Sequence, residues 1–201
     1  IGKNLIKILL TQNHNIVATF RNKKPNIFNK KIKWKKLNIN KPVLKQYFID
    51  ADVVIHLAWD KLPNYHKEYH LNNHFVKQKK FIKTIIKFGV TNLFVLGTCF
   101  EYGKQEGELK ENFIPKPVTP YGRAKNKLRI EIEKLNKKIK FKYTWARLFY
   151  VYGNHQSKTS IYSQLINSIL KKKSFKMSSG DQTRDFMNIS KACKIISILA
   201  T

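Results

Sequence analysis

Acidic side chains are scarce. Asp and Glu number 12 against 40 Lys and Arg, a formal net charge of +28, and composition alone would point to nucleic acid or an anionic membrane. Arginine is scarce as well, limited to Arg21, Arg123, Arg129, Arg147 and Arg184. The basic runs 30–36, 77–80 and 171–173 lie among apolar residues of predicted strands and helices rather than in one tail. No nucleic-acid partner is therefore expected, and a basic nucleic-acid-binding module stands as the rival reading from a different class. Cysteine is nearly absent too. Cys99 and Cys193 are too few and too far apart for a disulfide framework or a zinc site, which fits a reducing, cytoplasmic compartment. No apolar run approaches the roughly 20 residues of a membrane span. The start, Ile1-Gly2-Lys3-Asn4, has neither an initiator Met nor a signal-peptide pattern, and the chain reads as beginning within a larger frame.

What is present is an ordinary hydrophobic share of 42%, enough for one well-buried domain with part of a second. Leu5, Ile6, Ile8, Leu9 and Leu10 have the spacing of a helix face, and 16–20 is a short apolar strand. A second strand is expected over 32–37 and a short helix over 43–48, after Pro42. Residues 52–58 form a continuous apolar run, as strands covered on both faces do. A helix over 73–88 stops at Gly89 and leads to a strand over 92–97; a helix over 121–135 and a strand over 142–149 follow. Strands alternating with helices at this spacing predict a parallel, doubly wound α/β sheet with ligands at the carboxyl ends of the strands. The alternation loosens after Tyr152, so a domain change is placed near residue 153, dividing the chain into 1–153 and 154–201.

Tyr121 and Lys125 lie four positions apart at the start of a predicted helix, and so share a face. A nearby ammonium stabilises a phenolate, which predicts a tyrosine pKa below its reference of about 10 and a phenol able to exchange protons near neutrality. The hydroxyl of Thr98, at the end of a strand, could hold the oxygen that gains or loses that proton. Taken alone, the spacing is common on helices and equally describes an exposed Tyr beside a solvated Lys.

It does not occur alone. The blocks 96–103 (LGTCFEYG), 120–125 (PYGRAK) and 147–153 (RLFYVYG), with 52–58 (DVVIHLA) and 180–186 (GDQTRDF), resemble in order and spacing the extended short-chain dehydrogenase/reductases, the NAD-dependent epimerase/dehydratase family. The resemblance implies a Rossmann-type domain holding NAD or NADP and part of a small C-terminal substrate domain. It implies Tyr121 as acid/base, Lys125 lowering its pKa and gripping the nicotinamide ribose, and Thr98 orienting the substrate. Leu57 and Ala58 would lie along the cofactor. Cys99, Phe100 and Tyr150 would face the substrate, and Arg184 would clamp the diphosphate of a nucleotide sugar, for which its planar fork is suited. A surface ion pair with Asp185 is the plainer alternative for Arg184.

Departures from the family pattern shape the expectation. The first strand and glycine-rich phosphate loop are missing, and Gly2 reads as the last glycine of that loop, with the helix behind it. A fragment with the fold but little activity is therefore one reading. Arg21 stands where an acidic residue would mark an NAD enzyme, which favours NADP over NAD, although Arg21 could instead stack on adenine or face solvent. Asn38 and Ile39 stand near the expected adenine site. Cys99 and Phe100 replace the Asp-Glu pair of the 4,6-dehydratases, which leaves hydride transfer at a sugar carbonyl. The wording of the 97–103 and 56–59 blocks is most similar to reductases of nucleotide-linked 4-keto-6-deoxy sugars in surface-polysaccharide pathways, with a 4-epimerase as the alternative and a homodimer as the family habit. His66, His70 and His74 recur every four residues along one expected helical face, but without a fuller ligand set they imply no metal.

Overall fold

The computed structural model describes every residue except His155 and Lys176. The frame is α1 (Gly2–Thr11), β1 (Ile16–Phe20), β2 (Ile32–Lys36), β3 (Val54–His56), α2 (Phe75–Lys87), β4 (Asn92–Thr98), α3 (Pro120–Lys138), β5 (Lys142–Leu148), β6 (Tyr150–Tyr152), α4 (Ile161–Leu170), β7 (Phe186–Asn188) and α5 (Ile189–Ala200). Every strand pair is parallel: β1 with β2, β3–β4–β5 in that order, and β6 with β7. Parallel neighbours require crossovers, and the helices between them supply these on both faces of the sheet.

β4 lies at the centre of this arrangement. Its residues Leu93, Phe94 and Val95 are fully buried, and each such burial stabilises the fold by roughly 1.5–3 kcal/mol. Alternation along the strand sends Leu93 and Val95 to the side covered by Phe81, Ile82, Ile85, Leu128 and Ile132 of α2 and α3. Phe94 and Leu96 go to the side covered by Leu5 and Leu9 of α1 and by Ile189, Cys193 and Ile196 of α5. The segment 189–200 thus packs beside the first helix, and the Cys193 thiol donates to the carbonyl of Ile1.

Several elements differ from the sequence expectation. The stretch 43–48 forms only a single 3-10 turn, Lys45–Tyr47, because it has too few residues for a cooperative helix and is held by packing of Phe48 on Phe81. The strand expected over 52–58 pairs only at Val54–His56, against Leu93–Val95. Among the described residues β1 and β3 each keep one edge without a strand partner, so the expected sheet consists of separately bonded parallel pieces. The β6–β7 pair, Tyr150–Tyr152 against Phe186–Asn188, was not expected; three-residue strands are too short to leave a periodic trace.

Candidate active site

The start of α3 sets the geometry. Thr119 Oγ1 accepts the Gly122 N–H at 3.1 Å as N-cap, and Pro120 occupies the first turn, where its missing N–H is harmless. A Cβ on Gly122 would fall 2.4 Å from the Phe100 carbonyl oxygen. Glycine therefore lets this helical turn rest directly on the 3-10 turn Cys99–Glu101 that ends β4. Tyr121, Lys125 and Thr98 are all buried together as a result, and the Tyr121 N–H donates to the Tyr65 carbonyl at 3.1 Å.

Thr98 Oγ1 accepts the Phe100 N–H at 3.4 Å, and the Thr98 hydroxyl is near enough to the Tyr121 phenol to draw its pKa down. Here the electrostatic expectation is corrected: burial raises the phenol pKa well above its ordinary value, and the nearby Thr98 hydroxyl only partly offsets the rise. Lys125 does not lower it, because a lysine whose own pKa is depressed has lost its charge before the phenol ionises. Lys125 donates to the Leu96 carbonyl at 2.6 Å and lies 4.1 Å from the Trp59 ring centroid and 6.0 Å from that of Trp145. Burial lowers the Lys125 pKa to about 7, against a raising influence from Glu101.

Glu101, Trp145 and Arg147 are the residues that sequence reasoning left without a role. Glu101 is fully buried and accepts from the Thr98 N–H at 2.9 Å, from Trp145 Nε1 at 3.0 Å and from Arg147 Nε at 3.1 Å. Arg147 also donates to the Tyr102 hydroxyl at 3.1 Å and stands over the Tyr102 ring. A Cβ on Gly97 would fall 2.4 Å from the Trp145 indole nitrogen and 2.7 Å from Glu101 Oε1. The glycine thus leaves the space this cluster fills. Burial raises the Glu101 pKa, while the Thr98 and Arg147 hydrogen bonds pull it down. The available signal was an acidic residue in an otherwise apolar block, followed by an Arg in the next strand.

Aromatic rings wall one side of Thr98. Tyr65 stacks on Phe100 with centroids 4.6 Å apart and lies 5.5 Å from Tyr121. Cys99, Tyr150 and Arg184 gather nearby: the Arg184 guanidinium lies 5.5 Å from the Tyr150 ring, and its charge opposes the burial that raises the Cys99 thiol. Arg184 is exposed and donates to Gln182 at 2.9 Å, and among the described residues it forms no ion pair with Asp185.

The proposed cofactor residues occupy the strand ends on the other side. Leu57 Cδ1 lies 4.0 Å from the position of a Cβ on Gly2, so the end of β3 meets the start of α1. That helix carries no acidic residue in its first turn, which suits an anion such as a diphosphate at its N-terminal end. Ala58 is exposed beside Leu57 and its carbonyl accepts from Gln78 at 2.7 Å. Arg21 pairs with Asp60 at 3.0 Å and, with Lys36, Asn38, Lys41 and Tyr47, lines a cavity of about 450 Å³. Ile39 does not line that cavity but packs against the core. These residues fit a nicotinamide dinucleotide: a helix N-terminus free of acidic residues for the diphosphate, and a cavity at the ends of β1 and β2 for the adenosine.

The three histidines do not share one face. His66 is exposed, whereas His70 and His74 bracket a π-helical turn and are buried. Among the described residues no group of three or more His, Cys, Asp or Glu gathers to hold a metal ion, and no helix is long and apolar enough to cross a membrane.

The fold and this site define a Rossmann-type enzyme, and the model of the NAD dependent epimerase/dehydratase family matches residues 1–201. The chain belongs to that family. It is similar to the dTDP-6-deoxy-L-talose 4-dehydrogenase (NAD(+)) of Aggregatibacter actinomycetemcomitans, at 27% identity over 197 residues, covering 94% of this chain and 72% of that protein. The GDP-6-deoxy-D-talose 4-dehydrogenase of the same organism is 30% identical over 154 residues, covering 72% of this chain and 50% of that one. The UDP-glucuronic acid 4-epimerase of Bacillus cereus, solved in complex with UDP-glucuronic acid and NAD, shares the fold at a TM-score of 0.81 and 20% identity, over 100% of this chain and 69% of its own.

Proposed function

We propose that this chain is a nicotinamide-dependent reductase of 4-keto-6-deoxy nucleotide sugars in surface-polysaccharide synthesis, working in the cytoplasm. The observation that carries the reading is the convergence of Tyr121, Thr98 and Lys125 in one buried cluster at the carboxyl end of β4. The bound dinucleotide would supply the hydride. Thr98 and Tyr121 hold the substrate oxygen from two sides. The raised phenol pKa keeps Tyr121 protonated at neutral pH, the state needed to deliver a proton to an oxygen that becomes an alkoxide. Glu101 fixes the Thr98 backbone so that its hydroxyl keeps its aim. The Tyr65–Phe100 stack suits a deoxygenated, methyl-bearing carbon better than a hydroxymethyl or carboxylate group. Arg184 and Tyr150 would take the diphosphate side. The names of the two dehydrogenase relatives, both acting on 6-deoxytalose nucleotides, support this substrate class.

In this reading residues 1–153 hold the cofactor with α5 packed behind them, the remainder of 154–201 contributes the substrate side, and a second copy of the chain completes a homodimer. For the cofactor, the cavity beside Arg21 carries Lys36 and Lys41 and no acidic lining residue, which favours NADP. The name of the first relative carries NAD(+), so both are tested. The Arg21→Asp variant is expected to move the NADPH-to-NADH preference toward NADH by about tenfold, the worth of a charged phosphate contact. An unmoved ratio removes Arg21 from the cofactor site. The second reading, a 4-epimerase, uses the same three residues. The deciding experiment gives the protein a panel of 4-keto and 4-hydroxy nucleotide sugars with each cofactor and follows reduced nicotinamide by absorbance. Net consumption with the 4-keto sugars supports the reductase; isomer formation without net consumption supports the epimerase; turnover unchanged in Tyr121→Phe removes the proposed acid.

A further inference from the structure

We propose that Trp59, held in place by His70, is a positioning residue for Lys125. The inference deepens the oxidoreductase reading and rests on it. Trp59 follows directly on the strand-end pair Leu57–Ala58, and its indole has a defined partner on each side. Its face covers the Lys125 ammonium at 4.1 Å from the centroid. Its Nε1–H donates to His70 Nδ1 at 3.2 Å, and its edges meet His74 and Tyr121 at centroid separations of 4.7 Å and 5.7 Å.

The histidine that holds it is itself locked. Because Nδ1 of His70 accepts from the indole, the ring proton sits on Nε2, which donates to the Asn64 carbonyl at 3.0 Å. Both nitrogens are committed, and only the neutral tautomer with its proton on Nε2 satisfies both contacts. Behind His70 the packing continues through a polar chain with one consistent set of donors. The Asp60 N–H and the Gln78 amide donate to His74 Nε2 at 3.2 Å and 2.9 Å. Gln78 also donates to the Ala58 carbonyl at 2.7 Å and accepts from His56 Nε2 at 2.6 Å. The histidine spacing that stood out in the sequence therefore organises the loop after β3 around Trp59, and Trp59 fixes where the Lys125 charge lies. A cation held over an indole face and tied to the Leu96 carbonyl has little freedom to wander from the sugar and ribose oxygens it must serve.

The test compares Trp59→Phe, which keeps a ring face and removes the N–H, with Trp59→Leu, which removes the face. Three readings are taken: steady-state rates, NADH and NADPH binding by nicotinamide fluorescence without sugar, and NMR of lysine-labelled protein with Lys125 assigned from Lys125→Arg. In the parent protein the ring current is expected to move the Lys125 ε-methylene protons upfield of the other lysines. Trp59→Leu is expected to lose that shift, to weaken dinucleotide binding and to lower kcat by about tenfold, the size of a desolvated cation–π contact, with KM for the sugar within about twofold. Trp59→Phe is expected to recover most of each loss.

The proposal is overturned if the parent Lys125 signals lie among those of the other lysines. It is also overturned if Leu and Phe lose activity equally, or if Trp59→Leu changes neither kcat nor dinucleotide affinity. The NMR measurement needs no known sugar and, beyond the parent, only the charge-conserving Lys125→Arg protein for assignment, so it decides the placement of Lys125 even if the substrate assignment fails.

Discussion

Lys125 donates to the carbonyl oxygen of Leu96 at 2.6 Å, tying the second residue of the proposed acid/base pair to β4 while Tyr121, one helical turn earlier, turns to Thr98. Burial lowers the lysine pKa to about 7, so its charge changes near neutral pH. A lysine with a lowered pKa is protonated below that value and neutral above it. In the reductive direction kcat/KM is expected to fall as pH rises above about 7, the free-protein limb of the profile. Lys125→Met is expected to lower kcat by about a hundredfold, within the usual range for an acid/base component. Lys125→Arg, which stays charged, is expected to lose the limb even if its rate is low. An unchanged limb in the Arg variant would assign it to another group.

The Glu101–Arg147 pair is buried, with side-chain exposures of 0% and 12%, and removing one partner strands the other. Glu101→Val and Arg147→Leu are each expected to destabilise the fold by about 3–5 kcal/mol, whereas the double variant recovers most of the loss. Denaturant unfolding of the three variants checks this. If Glu101 also aims Thr98, the double variant regains stability but not kcat, because no acceptor remains for the Thr98 N–H. Full recovery of both would make the cluster structural only.

Much of the frame could be read from the chain because its signals are local. Apolar periodicity over α1, α2, α3 and β4, the stop at Gly89 and the Pro120 start each depend on a few neighbouring residues. The Tyr121, Thr98 and Lys125 convergence could also be anticipated, from motif order and from the shared face of a helix. What could not be read depends on burial and on long-range pairing. The direction of the Tyr121 shift turns on desolvation, and Lys125 prefers a carbonyl 29 positions away. Glu101 acquires its role only when β5 brings Trp145 and Arg147 beside it, through the register that sets Gly97 opposite Arg147. The histidine spacing suggested one helix face, but a π-helical turn and a loop carry it instead. Ile39 fell on the cofactor side in sequence, yet its aliphatic side chain joins the core, as burial of apolar area favours.

Gly122 tests how finely the site depends on the seating of α3. An added Cβ would meet the Phe100 carbonyl oxygen at 2.4 Å and the Phe100 Cβ at 3.2 Å, and backbone atoms cannot move aside as a flexible side chain can. Gly122→Ala is expected to push Tyr121 away from Thr98 and to lower kcat by about a hundredfold, as a misplacement near 1 Å does. Alanine favours the helix interior by up to ~1 kcal/mol over glycine, so the loss in Tm is expected to be small beside the loss in rate. A variant with wild-type turnover would show that the helix start and the Cys99–Glu101 turn are not in contact.

The buried imidazoles make a separate prediction about pH and stability. Burial lowers both His56 and His74 from 6.5 to about 4, with the Lys125 charge adding to the effect. Each ring holds its proton less tightly in the folded chain than in the unfolded one. Between about pH 4 and 6.5 the unfolded state therefore binds more protons, so stability rises with pH across that window and is lost as pH falls through it. Each unit of difference is worth roughly 1.4 kcal/mol. Glu101, whose pKa burial raises, works in the opposite sense, so the histidine contribution has to be isolated by substitution. His56→Gln and His74→Asn are expected to lower Tm at pH 7 but to flatten its decline between pH 6.5 and 4, each variant having one fewer ring to protonate on unfolding. If the parent and variant curves run parallel through that window, these imidazoles are not held neutral by the fold, and the polar chain from Gln78 to Trp59 is arranged differently.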